Sequence, residues 1–154
     1  MPPPLCYNEA MKKLLLLLLV SLVIGVVLTG GCVGTETVPT NQETQIIENI
    51  TPPETFTLIQ DNQNNPDFVI LDVRTPEEFA NGHIEDAINL DYYSETFRDE
   101  LNKLDKNKTY LVYCRSGRRS SNALNTMKEL KFSEVYNMLG GIIEWKAEGL
   151  QITK

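Results

Sequence analysis

The chain has 154 residues, room for about one domain of ordinary size, and 42% of them are hydrophobic, which excludes wholesale disorder. Fourteen Lys and Arg against 21 Asp and Glu leave a net charge of −7, a balance that argues against general nucleic-acid binding, which depends on basic surface. Three widely spaced cysteines, Cys6, Cys32 and Cys114, with a single histidine, His83, exclude a disulfide framework and a zinc site built from Cys and His alone.

Met11-Lys12-Lys13 precedes Leu14–Leu28, fifteen residues interrupted only by Ser21 and Gly25. A short basic segment, an apolar run and terminal small residues describe a secretory signal. Carried on to Gly31, the run reaches eighteen residues, which leaves an uncleaved membrane anchor as the alternative. Thr29-Gly30-Gly31-Cys32 resembles the lipobox of prokaryotic lipoproteins, although the preferred leucine stands one position early, at Leu28. The resemblance implies lipid attachment at Cys32. Either version keeps Lys12 and Lys13 inside and sets the remaining chain on the extracytoplasmic side of the cell membrane. Met1–Ala10, with Pro2, Pro3 and Pro4, fits no signal architecture, so Met11 is an alternative start. Residues 1–32 are thus read apart from the fold. Residues 33–50 carry four Thr and no Lys or Arg, and are expected to form a flexible tether. Residues 51–154 are expected to form the domain.

Thr51-Pro52-Pro53-Glu54 is a capping box with proline at the first helical position, and predicts a short helix ending before Asn64-Asn65-Pro66. Phe68–Leu71 reads as a strand covered on both faces. Thr75-Pro76-Glu77-Glu78 repeats the capping box and starts a second helix, stopped near Gly82. Ala87–Leu90 is a weak strand. Phe97, Leu101 and Leu104 mark a helix over 95–104, and Thr109–Tyr113 is a strand. After Cys114 and a polar turn, Ala123, Leu124, Met127 and Leu130 line one face of a helix reaching about Leu130. Glu134–Met138 is a further strand, Gly140-Gly141 a break, and residues 142–148 a last helix. This alternation predicts an α/β domain with a mainly parallel sheet, whose ligands sit beyond the carboxyl ends of the strands. Cys114 lies at such an end.

The segment Tyr113-Cys114-Arg115-Ser116-Gly117-Arg118-Arg119-Ser120 concentrates the chemistry. A thiol is a nucleophile only as thiolate. The following helix offers unpaired N–H groups and partial positive charge at its start, and Gly117 lets successive amides converge on an anion. Arg115, Arg118 and Arg119 add positive charge. Clustered cations at a helix N-terminus are unfavourable unless an anion balances them. Cys114 is therefore the candidate nucleophile, and Arg115, Ser116, Gly117, Arg118 and Arg119 the candidate anion-binding residues. The bland alternative is an inert buried cysteine before a solvated basic turn.

Leu71-Asp72-Val73-Arg74-Thr75-Pro76-Glu77-Glu78-Phe79, Gly82-His83-Ile84, the Cys114 segment, and Gly140-Gly141 with Trp145 together resemble the single-domain rhodaneses. The resemblance covers residues 51–154. It implies a five-stranded parallel sheet with helices on both faces, and sulfurtransferase activity through a Cys114 persulfide without metal or organic cofactor. Asp86, Asp91 and Gln151 replace the family's usual glycine and prolines at three turns away from the sulfur. Asp72 and Arg74 are read as structural, bonded to loop backbone or to Glu78. His83 is read as fixing a turn, and Trp145 as core.

The expected cycle takes sulfur from a small anionic donor such as thiosulfate and gives it to a thiol, or to cyanide. A membrane-tethered persulfide carrier or redox sensor with little turnover, its thiolate exposed to oxidants, is the alternative. A cysteine phosphatase is a lesser one, since its pattern puts five residues between Cys and Arg. Here four separate Cys114 from Arg119, and the fifth-spacing position is Ser120.

Overall fold

The computed structural model describes residues 44–154. The apolar run, Cys32 and residues 33–43 of the expected tether lie outside the described residues. Among the described residues there are five strands: β1 (Ile46–Ile50), β2 (Phe68–Asp72), β3 (Ile88–Asn89), β4 (Thr109–Tyr113) and β5 (Glu134–Met138). Five helices accompany them among the same residues: α1 (Pro52–Asp61), α2 (Pro76–Ala80), α3 (Phe97–Lys103), α4 (Arg118–Glu129) and α5 (Gly141–Ala147). The strands form one parallel sheet in the order β1-β5-β4-β2-β3. β4, which ends next to Cys114, is central.

Strand alternation divides the core. Val69, Leu71, Tyr110, Val112 and Val135 face α3 and α4, packing on Phe97, Leu101, Ala123 and Met127. Ile70, Leu111, Tyr113 and Met138 face the other way, onto Ile142 and Trp145 of α5, Ile59 of α1 and Phe79 of α2. Covering on both faces is what made Phe68–Leu71 a continuous apolar run.

One expectation requires correction. Ile46–Ile50, within the expected tether 33–50, form the edge strand β1, in register with Glu134–Met138 of β5. Gln45 helps to fix it, donating from Nε2 to the carbonyl of Phe132 at 2.7 Å. The two expected capping boxes are both present. Thr51 and Thr75 accept from the amides of Glu54 and Glu78, whose carboxylates accept from the threonine amides in return.

Asp72 and Arg74 are buried structural residues, as expected. Arg74 donates to Asp72 from Nε at 2.9 Å and to the carbonyl of Gly82 at 2.8 Å. Neither side chain reaches Glu78 by a hydrogen bond, which is the part of that expectation the geometry replaces. Asn89 closes the same corner, donating to the carbonyls of Asp72 and Arg74 at 2.9 Å each. His83 stacks on Phe79 and donates from Nδ1 to its carbonyl at 3.1 Å, fixing the turn. Trp145 is buried, its Nε1 donating to the carbonyl of Gln151 at 2.8 Å. Asp86 holds φ +61°, the left-handed conformation that glycine takes most easily and that Asp tolerates better than most residues.

Asp72→Ala strips a buried guanidinium of its partner. Its stability in a denaturant titration should fall by about 3–5 kcal/mol, the cost of an uncompensated buried charge, and a paired Asp72→Ala, Arg74→Met variant should recover part of the loss. Asp86→Gly should raise stability by about 0.5–1 kcal/mol, because the left-handed backbone strain outweighs the added chain entropy.

Candidate active site

Cys114 follows β4 directly, and α4 begins four residues later at Arg118. The turn between them curls because Gly117, the N-cap of α4, adopts φ +90°. Its amide donates to Cys114 Sγ at 3.2 Å. Ser120, in the first turn of α4, donates from Oγ to Sγ at 3.5 Å. Its single proton has a second acceptor, the Gly117 carbonyl at 3.1 Å, and ionisation of the thiol favours the sulfur.

The loop carbonyls are used elsewhere. Cys114 and Arg115 accept from the amides of Ile142 and Ile143 in α5, at 2.9 and 3.1 Å. This approach depends on Gly141: a Cβ there would lie 2.4 Å from the Cys114 carbonyl oxygen. The Gly140-Gly141 break is therefore part of the site. With the carbonyls drawn toward α5, the amides are left facing the sulfur.

Cys114 is a free thiol, only 1% exposed. The expectation of an exposed thiolate is corrected here: the sulfur is recessed beneath its own loop. Burial pushes the thiol pKa up. Hydrogen bonds from the Ser120 hydroxyl and from the amides of Ser120, Ser116 and Gly117 outweigh burial, and the net shift is downward. Hydrogen-bond donors rather than arginine charge dominate that lowering.

The three arginines fall into two groups. Arg119 is buried and forks onto Glu78, its Nη1 and Nη2 donating to the two carboxylate oxygens at 2.7 and 2.8 Å. Its guanidinium also lies 5.4 Å from the centre of the Tyr93 ring. The hydrogen bonds from Arg119, against the opposing effect of burial, hold Glu78 well below the usual carboxylate range, at about 2. The pair's contribution to stability is thus complete above about pH 4.5 and is lost only as pH falls toward about 2. Arg119 stands among the anion-binding candidates, yet its charge is already balanced within the protein. Arg115 and Arg118 are exposed and form no ion pair among the described residues. Together with Glu78, Tyr93, Ser116 and Arg119 they line a polar pocket of about 310 Å³.

The structure brings Cys114, Ser116 and Gly117 together in one turn, and sets Glu78, Tyr93, Ser120 and Gly141 around it. Ser120 and Gly141 both lie in the motifs that carry the family resemblance, but the sequence assigns neither a role at the sulfur.

The arrangement defines a class: a parallel α/β domain presenting a recessed cysteine ringed by hydrogen-bond donors at the carboxyl end of its central strand. The rhodanese-like domain model matches residues 55–148, and the chain belongs to that family. A sulfurtransferase of Allochromatium vinosum is 37% identical over 86 residues, which span 56% of this chain and 78% of that protein. The thiosulfate sulfurtransferase GlpE of Coxiella burnetii is 37% identical over 81 residues, 53% of this chain and 74% of its own. The crystal structure of a rhodanese-related protein from Thermoplasma volcanium superimposes with a TM-score of 0.57 at 28% identity, covering 69% of this chain and 97% of that one.

Ser120→Ala removes one donor to the sulfur and should raise the Cys114 pKa. The pH profile of iodoacetamide labelling, resolved by mass on the peptide carrying Cys114, should move to higher pH. An unchanged profile would show that the hydroxyl bonds only to the Gly117 carbonyl.

Proposed function

We propose that the chain is a thiosulfate-type sulfurtransferase that works by double displacement on Cys114. The observation that carries this reading is the set of donors turned onto a recessed sulfur, with the Gly117 amide at 3.2 Å. Such a cradle stabilises a thiolate and, after the first half-reaction, an anionic persulfide.

In the first step the Cys114 thiolate attacks the outer sulfur of thiosulfate. The sulfur–sulfur bond of the donor breaks, its electron pair leaves with sulfite, and Cys114 holds a persulfide. In the second step an acceptor thiolate attacks the outer persulfide sulfur, and the pair from the broken bond returns to Cys114 Sγ. Neither step needs an external oxidant or reductant. Exposed Arg115 and Arg118 attract the anionic donor, an effect that added salt should weaken. Arg119, held by Glu78, acts as a wall of the pocket.

The phosphatase alternative loses support from the same geometry. The hydroxyl of Ser120, at the fifth-spacing position, bonds to the sulfur, and the nearest arginine in sequence register is tied to Glu78. The reading also includes anchorage, through lipid on Cys32 or an uncleaved apolar segment, with the domain on the extracytoplasmic side of the membrane. Loss of palmitate labelling in Cys32→Ala, expressed in a bacterial host, would support the lipid form. Unchanged membrane association without any labelling would support the uncleaved segment.

Incubation with thiosulfate and cyanide should release thiocyanate, and Cys114→Ser should abolish that release. Intact mass after thiosulfate alone should rise by about one sulfur atom on the unmutated chain only. Loading without turnover would indicate a persulfide carrier. No loading and no turnover would contradict the thiosulfate reading.

A further inference from the structure

Arg115 and Glu78 line two pockets. Beyond the polar one described above lies a second, of about 230 Å³, whose lining includes Asn81, Arg115, Ile142, Ile143 and Lys146. Its other two charged side chains, Arg74 and Glu78, are committed to Asp72 and Arg119. Arg115 and Lys146 are exposed and form no ion pair among the described residues. The pocket thus presents two uncompensated cations in a chain of net charge −7. Opposite character comes from Ile142 and from Ile143, which is 46% exposed. The exposed Asn81 side chain makes no hydrogen bond among the described residues and can serve a polar ligand. The pocket's volume is below the usual range for drug-sized ligands, so its occupant is small.

The pocket also meets the backbone of the Cys114 loop, and Arg115 in its wall directly follows Cys114 in the chain. Ile142 and Ile143, in its wall, donate to the carbonyls of Cys114 and Arg115 at 2.9 and 3.1 Å. A ligand seated there lies against the elements that hold the persulfide.

We propose that this pocket is the acceptor subsite, and that it takes the carboxylate of a low-molecular-weight thiol whose short hydrocarbon body packs on Ile142 and Ile143. The assignment rests on the sulfurtransferase reading and names its acceptor class. With the carboxylate held by Arg115 and Lys146, the acceptor thiolate attacks the outer sulfur of the Cys114 persulfide. The bond to Sγ breaks, its electron pair restores the Cys114 thiolate, and the acceptor leaves as a persulfide.

The test uses the full chain and Lys146→Glu, an exposed substitution. Sulfur transfer from thiosulfate is followed with 3-mercaptopropionate, which carries a carboxylate, and with 2-mercaptoethanol, which does not. Lys146→Glu should raise KM for 3-mercaptopropionate about fivefold, as expected for reversing one exposed charge, and change KM for 2-mercaptoethanol by less than about twofold. Equal changes for both thiols, or none, would overturn the proposal. A second arm needs no catalysis: 3-(methylthio)propionate, which cannot accept sulfur, is titrated against isoleucine methyl NMR signals. Saturable shifts at Ile142 and Ile143 that weaken in Lys146→Glu support the subsite. Their absence, or their indifference to Lys146→Glu, overturns it. Methyl shifts in a chain that never gains sulfur from thiosulfate would instead refute the catalytic reading while leaving a carboxylate site in place.

Discussion

The amides of Ile142 and Ile143 hold the carbonyls of Cys114 and Arg115, and the rest of the site depends on that contact. A tight turn has as many acceptors as donors, and an anion in its centre is stabilised only if the acceptors point elsewhere. Here the start of α5 takes them. Gly141 allows the approach, since any side chain would strike the Cys114 carbonyl. Gly117, with its left-handed backbone, completes the curl and turns its own amide to the sulfur. The Cys114 loop and α5 are therefore one unit, although α4 and β5 separate their sequences.

Electrostatics around the sulfur are settled by a contest between burial and hydrogen bonding. Burial alone would leave Cys114 a poor nucleophile. The donors of Ser116, Gly117 and Ser120 reverse its effect. The arginines act differently. Arg119, bidentate on Glu78, braces α4 against the start of α2 and lends shape rather than free charge. Arg115 and Arg118 remain open to solvent, where they can draw in an anion but gain little from any one ion pair. In the proposed cycle, attraction of the donor anion and activation of the thiol thus fall to different residues around the same loop.

Much of this was legible in the sequence because it is local. Capping boxes at Thr51 and Thr75, the apolar strand at Phe68–Leu71 and the helical spacing from Ala123 to Leu130 depend on neighbours within a few residues. The nucleophile and its glycine were legible for the same reason. β1 was not. Its pattern of Ile, Glu and Asn suits an edge strand with exposed residues, and its partner β5 lies 88 residues away, as the Asn137–Asn49 hydrogen bond shows. The Glu78–Arg119 pair spans 41 residues and was equally hidden, so a charge counted as available for substrate proved to be balanced internally. Asp86 shows the converse. A departure from the family's glycine was visible in the sequence, and the backbone nonetheless keeps the left-handed turn.

The central claim is that the loop amides face and stabilise an anionic sulfur. It is tested most directly by following the amide proton signals of Ser116, Gly117 and Ser120 by NMR while Cys114 is titrated. The account predicts that all three shift together as the thiolate forms, with a midpoint below the ordinary cysteine value of about 8.5. Amides that do not respond, or a shared midpoint at or above that value, would contradict it.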